Sequence, residues 1–185
     1  MSITATTAAP NRLQRSLARL SEAPGFMQRW VRNLVLHRAV PFTGTAKVNF
    51  VHMSPERVEV HLANEKAVQN HIGGVHASAM NLLAETATGM VVGMNVRDDC
   101  LPLAKQLSMA FVKRATGALT AVATLTPEQQ KALRDSDKGE VTVQVVVTDE
   151  AGIEPVECTF VWAWVPARPR QSTPATTAPG NKEQP

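Results

Sequence analysis

The stretch HASAMNLLAETATGMVVGMNV, residues 76–96, has no proline and is apolar on almost every side. Its length and composition predict a helix over 76–96 rather than a strand. A helix that is dry all round needs a sheet against one side and something else over the other. Lipid is the competing cover. His76, Asn81 and Glu85 interrupt the run and its neighbours are strand-like, which excludes a transmembrane span. Gly89 and Gly93, four residues apart, then mark a close approach to a strand or a partner.

Upstream, residues 45–52 and 57–63 read as strands; Val58, Val60 and Leu62 alternate with Arg57, Glu59 and His61. Downstream, four further strands are predicted at 104–115, 119–126, 140–148 and 155–165. Gly117, a polar insertion PEQQKALRDSDKG (127–139) and Asp149–Gly152 separate them. Two strands, one long helix and four strands predict an α+β architecture, with about six antiparallel strands curved around the central helix.

Residues 12–38 carry Leu13, Leu17, Leu20, Met27, Val31, Leu34 and Val35 at helical spacing, broken at Pro24 and Gly25. Arg12, Arg15, Arg19, Arg29, Arg32 and Arg38 lie on the polar side. Such a face is either simply solvated or a contact for membranes or acidic partners. With 185 residues the chain fits one domain. Residues 1–11 and the tail 166–185 are expected to be disordered, 12–40 to form a helical segment and 41–165 the main domain.

The net charge of +3 and the lack of any reading motif argue against nucleic acid as a partner. Cys100 and Cys158 have neither metal nor disulfide spacing, and the N-terminus lacks a secretory pattern, so a cytoplasmic setting is expected. No metal or cofactor is expected.

Glu85 is the only formally charged residue between His76 and Arg97. A carboxylate in such surroundings is costly unless paired or used, and burial moves its pKa toward the range of acid–base chemistry. A structural glutamate satisfied by a neighbour is the other reading. Just before the helix stands Asn70-His71-Ile72-Gly73-Gly74-Val75-His76-Ala77-Ser78. Its glycines permit a tight turn or a close-lying ligand, and the Ala77 and Ser78 amides would be free donors at a helix N-terminus. A plain turn, with His71 and His76 as capping or core residues, is the alternative.

The pattern N70-x-x-G73-x-x-H76 followed by L83-A84-E85 resembles the N-x-x-G-x-x-H-G-G…L-A-[DE] signature of phenylacetate-type hotdog thioesterases. The similarity extends through LSMAFVKRATGA (107–118) and the VTVQVVVTDEAG and CTFVWAW runs, and covers about residues 41–165. Ala77 and Ser78 stand where that signature has Gly-Gly. The resemblance implies a hotdog fold, a two-fold dimer and hydrolysis of acyl-CoA. Glu85 would be general base or nucleophile, the Ala77 amide the oxyanion donor, and Asn70 would orient water or carbonyl. His76 would shape the turn, with Gly73, Gly74 and Ser78 around the substrate. Lys113 and Arg114, beside a turn, are either phosphate contacts for coenzyme A or ordinary surface cations. Ala77 and Glu85 are eight residues apart, about 12 Å along a helix, so a second antiparallel helix would complete each site. Dimer and dimer of dimers both satisfy this. A non-catalytic acyl-CoA or acyl-lipid binder is the alternative from another class. An enoyl-thioester hydratase or dehydratase is a further one, although the H-F-P and D-x-x-x-x-H patterns of those enzymes are missing here.

Overall fold

A computed structural model describes residues 9–20 and 25–167. The disorder expected for 1–8 and 168–185, and the break at Pro24, lie outside the described residues. Asn11 was assigned by sequence to the disordered end. Its side chain instead donates to the Gly93 and Val96 carbonyls at 2.9 and 2.7 Å, so the ordered chain begins before Arg12.

The elements are α1 (Arg12–Leu20), α2 (Gly25–Ala39), α3 (Pro41–Thr45), β1 (Asn49–Met53), β2 (Arg57–Leu62), α4 (Ala77–Gly93), β3 (Cys100–Phe111), β4 (Leu119–Thr124), α5 (Pro127–Asp135), β5 (Gly139–Asp149) and β6 (Val156–Pro166). The six strands form one antiparallel sheet in the order β1-β2-β4-β5-β6-β3. Strand β5 changes partner along its length: residues 139–143 pair with β6, and 144–149 pair with β4. That handover lets the sheet curl around α4, which packs on β2, β3, β4, β5 and β6.

Helix α4 gives the core Leu83, Ala84, Ala87, Val91 and Val92, all fully buried. They meet Val58, Val60 and Leu62 of β2 and Leu119, Ala121 and Ala123 of β4, the inward sets that period-two alternation demands. Buried Thr86 and Thr88 satisfy their hydroxyls on helix carbonyls, Thr86 on Leu82 at 2.6 Å and Thr88 on Ala84 at 3.0 Å. Gly89 makes the close approach that its sequence position suggested. A Cβ there would lie 2.8 Å from the Trp162 ring, whose Nε1 donates to Thr88 Oγ1 at 3.0 Å.

Several boundaries differ from the sequence reading. Residues 45–48 are not strand, because Pro41 starts the short helix α3 and β1 opens only at Asn49. Strand β3 begins at Cys100 rather than 104; Pro102 is tolerated inside it because β3 is a terminal strand with one unpaired side. The polar insertion contains α5. Thr126 Oγ1 accepts from Gln129 N at 3.3 Å while Gln129 Oε1 accepts from Thr126 N at 2.9 Å, a reciprocal cap that starts the helix.

The two ends of the sheet are treated differently. Helix α2 lies along β1 and bonds backbone groups of Phe50 and Val51 and of Val48 just before the strand. Asn33 Oδ1 accepts from Phe50 N at 3.0 Å, Arg32 donates to the Phe50 and Val51 carbonyls, and His37 Nε2 bonds the Val48 carbonyl at 2.8 Å. At the other end β3 is almost wholly exposed, with Leu101, Leu103, Leu107 and Phe111 among its apolar residues.

Candidate functional site

Residues 70–76 form a closed turn that aims α4. Asn70 N donates to the Gly74 carbonyl at 2.8 Å, and Gly73 N donates to the Asn70 carbonyl at 3.1 Å. The Asn70 side-chain oxygen accepts from the amides of Ile72 and Gly74 at 3.0 and 3.1 Å. Gly73 has φ +79°, which L side chains adopt only under strain. Gly74 has no such φ, and a Cβ there would make only ordinary contact with the Asn70 amide. The turn therefore demands glycine at Gly73 alone. Gln69 and Val75 pair as an isolated bridge, and His76 N donates to the Val68 carbonyl at 2.8 Å.

His76 is the N-cap of α4, and its Nδ1 accepts from Ser78 N at 3.1 Å. This corrects one expectation: the Ser78 amide is not a free donor, because the imidazole has taken it. The Ala77 amide has no acceptor among the described residues, while the His76 carbonyl takes the Ala79 and Met80 amides. One exposed N–H thus remains, at the positive end of a helix 17 residues long. The Asn70 carboxamide oxygen is likewise spent within the turn.

From Ala77 the face of α4 that the sheet leaves uncovered runs through Asn81 to Glu85, one turn at a time, until Trp162 of β6 closes over Gly89. Two cavities lie along it. A groove of about 450 Å³ is floored by Ala77, Asn81 and Glu85, with Leu107, Met109 and Phe111 of β3 as the opposite wall. A second cavity of about 200 Å³, lined by Leu82, Thr86, Met90 and Trp162, opens on the other side of Glu85. Glu85 and Leu82 border both.

Glu85 is half-buried, and its carboxylate has no hydrogen-bond or ion-pair partner among the described residues. Burial among apolar groups raises its pKa above the usual carboxylate range. Among the described residues no neighbour neutralises this side chain. Lys113 and Arg114 lie just past β3, are exposed, and border neither cavity. Cys100 and Cys158 also lie outside both cavities, and burial pushes the Cys158 thiol up to about 11, which keeps it protonated near neutrality.

Sequence reasoning tied the 107–118 stretch to the family but named no residue of the wall opposite Glu85. Leu107, Met109 and Phe111 alternate at period two and could have been recognised as one face of β3. That this face looks across at α4 depends on the curl of the sheet.

No helix among the described residues is long and apolar enough to cross a membrane. No curated protein matches the chain. Solved structures do share its fold. A Pseudomonas aeruginosa protein of unknown function, described as a "Probable Thioesterase", superposes with a TM-score of 0.67 at 20% identity, covering 74% of this chain and 95% of that one. A thioesterase from Haemophilus influenzae gives 0.58 at 11% identity over 71% and 87% of the two chains. A thioesterase family protein from Silicibacter pomeroyi gives 0.57 at 15% identity over 77% and 100%. The curled sheet wrapped on α4 is the hotdog fold. With a family match over residues 28–165, the chain belongs to the family described as Domain of unknown function (DUF4442).

Proposed function

We propose that this protein hydrolyses acyl thioesters of the acyl-CoA type, at sites shared between two copies of the chain. The observation that carries this reading is the unpartnered Glu85 carboxylate, held between two cavities on the same helix face as the free Ala77 amide. The thioesterases among its structural relatives support it.

Along one helix Ala77 and Glu85 are about 12 Å apart, too far to act on one carbonyl. An antiparallel α4 from a second copy would set Glu85 of one chain against the Ala77 amide of the other. Strand β3 supports such a pairing, since it is a long, exposed, terminal strand, paired only with β6. In the hydrolytic step the thioester oxygen accepts from the Ala77 N–H. Glu85 takes a proton from water as the oxygen attacks the carbonyl carbon. Collapse of the tetrahedral adduct breaks the C–S bond, and the thiolate leaves and is protonated, giving free acid and thiol. Direct attack by Glu85 would form an anhydride that water then opens, with the same products. The Asn70 oxygen is committed to its turn, so any role of Asn70 toward water falls to its amide nitrogen. Gly73, Gly74 and His76 hold the helix start in place, and Ser78 borders the groove. Lys113 and Arg114 remain candidates for coenzyme A phosphates. Two free cysteines suit a reducing, cytoplasmic setting.

The deciding experiment measures thiol release from a panel of aliphatic and aromatic acyl-CoAs, with the native protein and Glu85→Gln. Cleavage by the native chain, reduced on the order of 1,000-fold in a folded variant, is expected. A variant as active as the native protein would remove Glu85 from the chemistry. Tight binding of acyl-CoA that stays intact for hours would favour the binder reading, which the loss of the Ser78 amide as a second donor supports.

A further inference from the structure

Asn81 stands on the floor of the groove of about 450 Å³, one turn from Ala77 and one turn from Glu85. Phe42, Leu82, Leu107, Met109 and Phe111 make most of the lining, and the polar side chains among them are Ser78, Asn81 and Glu85. The Asn81 side chain is half-buried and has no hydrogen-bond partner among the described residues. A carboxamide drawn out of water among apolar groups costs stability unless something bonds it. Nothing in the fold offsets that cost, and a ligand in the groove can.

Helix geometry fixes where this amide reaches. Four residues of helix turn about 400°, so Asn81 returns to within about 40° of Ala77 round the axis. Helical side chains lean toward the N-terminal end, so the Asn81 amide covers the surface beside the Ala77 N–H. Other donors are worse placed. Ser78 lies about 100° round from Ala77, and its amide is held by His76 Nδ1 at 3.1 Å. The Asn70 oxygen is committed to the amides of Ile72 and Gly74, and His76 does not border the groove.

We infer that the Asn81 carboxamide donates to the thioester oxygen held on the Ala77 N–H, as a second catalytic donor in place of the Ser78 amide. As the carbonyl carbon becomes tetrahedral, its oxygen gains negative charge, and both N–H groups bond it more strongly than they bonded the carbonyl. The inference rests on the thioester reading of the site. The pairing proposed for α4 also sets position 81 against its own copy. Each Asn81 oxygen would there accept one N–H from the other, leaving the second N–H of each amide to its own site.

The test compares the native full chain with Asn81→Leu, which keeps the side chain's size without its donor, and with Asn81→Gln, which keeps an amide. Thiol release from hexanoyl-CoA and benzoyl-CoA should fall on the order of 100-fold in kcat for the leucine variant, with KM little changed. The glutamine variant should retain more activity. Leucine suits both a helix and an apolar groove, so its variant should melt no lower than the native protein. A second readout needs no turnover. The ketone analogue of hexanoyl-CoA, with a methylene between sulfur and carbonyl, cannot be hydrolysed. Its isotope-labelled carbonyl should absorb at lower infrared frequency on the native protein than on the leucine variant. A leucine variant with native kcat would overturn the proposal, and so would equal carbonyl frequencies on the two proteins. Activity lost only in step with assembled mass in sedimentation would make Asn81 an interface residue instead. A native chain that binds the ketone but cleaves neither thioester would sink the hydrolysis reading, with the carbonyl frequency still deciding Asn81. One that neither binds nor cleaves would end both.

Discussion

Replacing Glu85 by Gln keeps the side chain's shape and removes its proton acceptor. Burial raises the Glu85 pKa, so the folded state prefers the neutral acid and ionisation costs stability as pH rises through that pKa. Glu85→Gln should therefore melt at the same temperature as the native protein at about pH 4, and at the same or a higher temperature near neutrality. Melting curves across pH check this, and a variant clearly less stable at neutral pH would mean the carboxylate has a partner. Catalysis runs the opposite way: hydrolysis should rise with pH through the raised pKa, because only the carboxylate accepts a proton. Gly73→Ala should cost about 1–2 kcal/mol through its positive φ alone, since no atom lies within 4 Å of the added methyl. Gly73→Asn should recover part of that, as chemical denaturation would show. Glu85 was legible in sequence because one charge stands in an otherwise apolar helix. The fates of the Ser78 amide and the Asn70 oxygen were not, since they depend on which way two side chains turn inside a loop.

Among the elements, α4 carries two kinds of information. Its apolar length identified it as the central helix, and Gly89 recorded how closely a strand passes it. Gly89→Ala would press a methyl against the Trp162 ring, which is held by its bond to Thr88. A loss of about 1–3 kcal/mol is expected. Because that ring lines the smaller cavity beside Glu85, the KM for bulky acyl groups should shift more than that for acetyl. Equal shifts for all acyl groups would detach this cavity from acyl binding. Helix α5 escaped the sequence reading because PEQQKALRD buries only Gln130 and Leu133 and so shows little apolar periodicity. The Thr-Pro-Glu-Gln start was the signal available, a cap pair with proline at the first helical position. Strand β3 starts four residues before the sequence reading put it and takes in Pro102, which is acceptable there because of the strand's terminal position, a property of the sheet order.

At the scale of the molecule, the curled sheet around one helix was readable from the order of elements, and the asymmetry of its two ends was not. Leu101→Glu/Leu103→Glu alters exposed residues of β3 that border neither cavity next to Glu85. The fold should survive, the assembly should dissociate to single chains with its dissociation constant raised roughly 100-fold, and thioester cleavage should fall with it. A fully active single chain in sedimentation and assay would show that one copy suffices.

The side chains of Arg32, Asn33 and His37 lying across β1 have a consequence for growth. A sheet open at both ends can add neighbours indefinitely, whereas one stoppered at β1 can be extended only once. The proposed association through β3 would therefore end at a closed pair instead of a fibril. Stripping that stopper with Arg32→Ala/Asn33→Ala/His37→Ala should turn a finite complex into a polymer whose length grows with concentration.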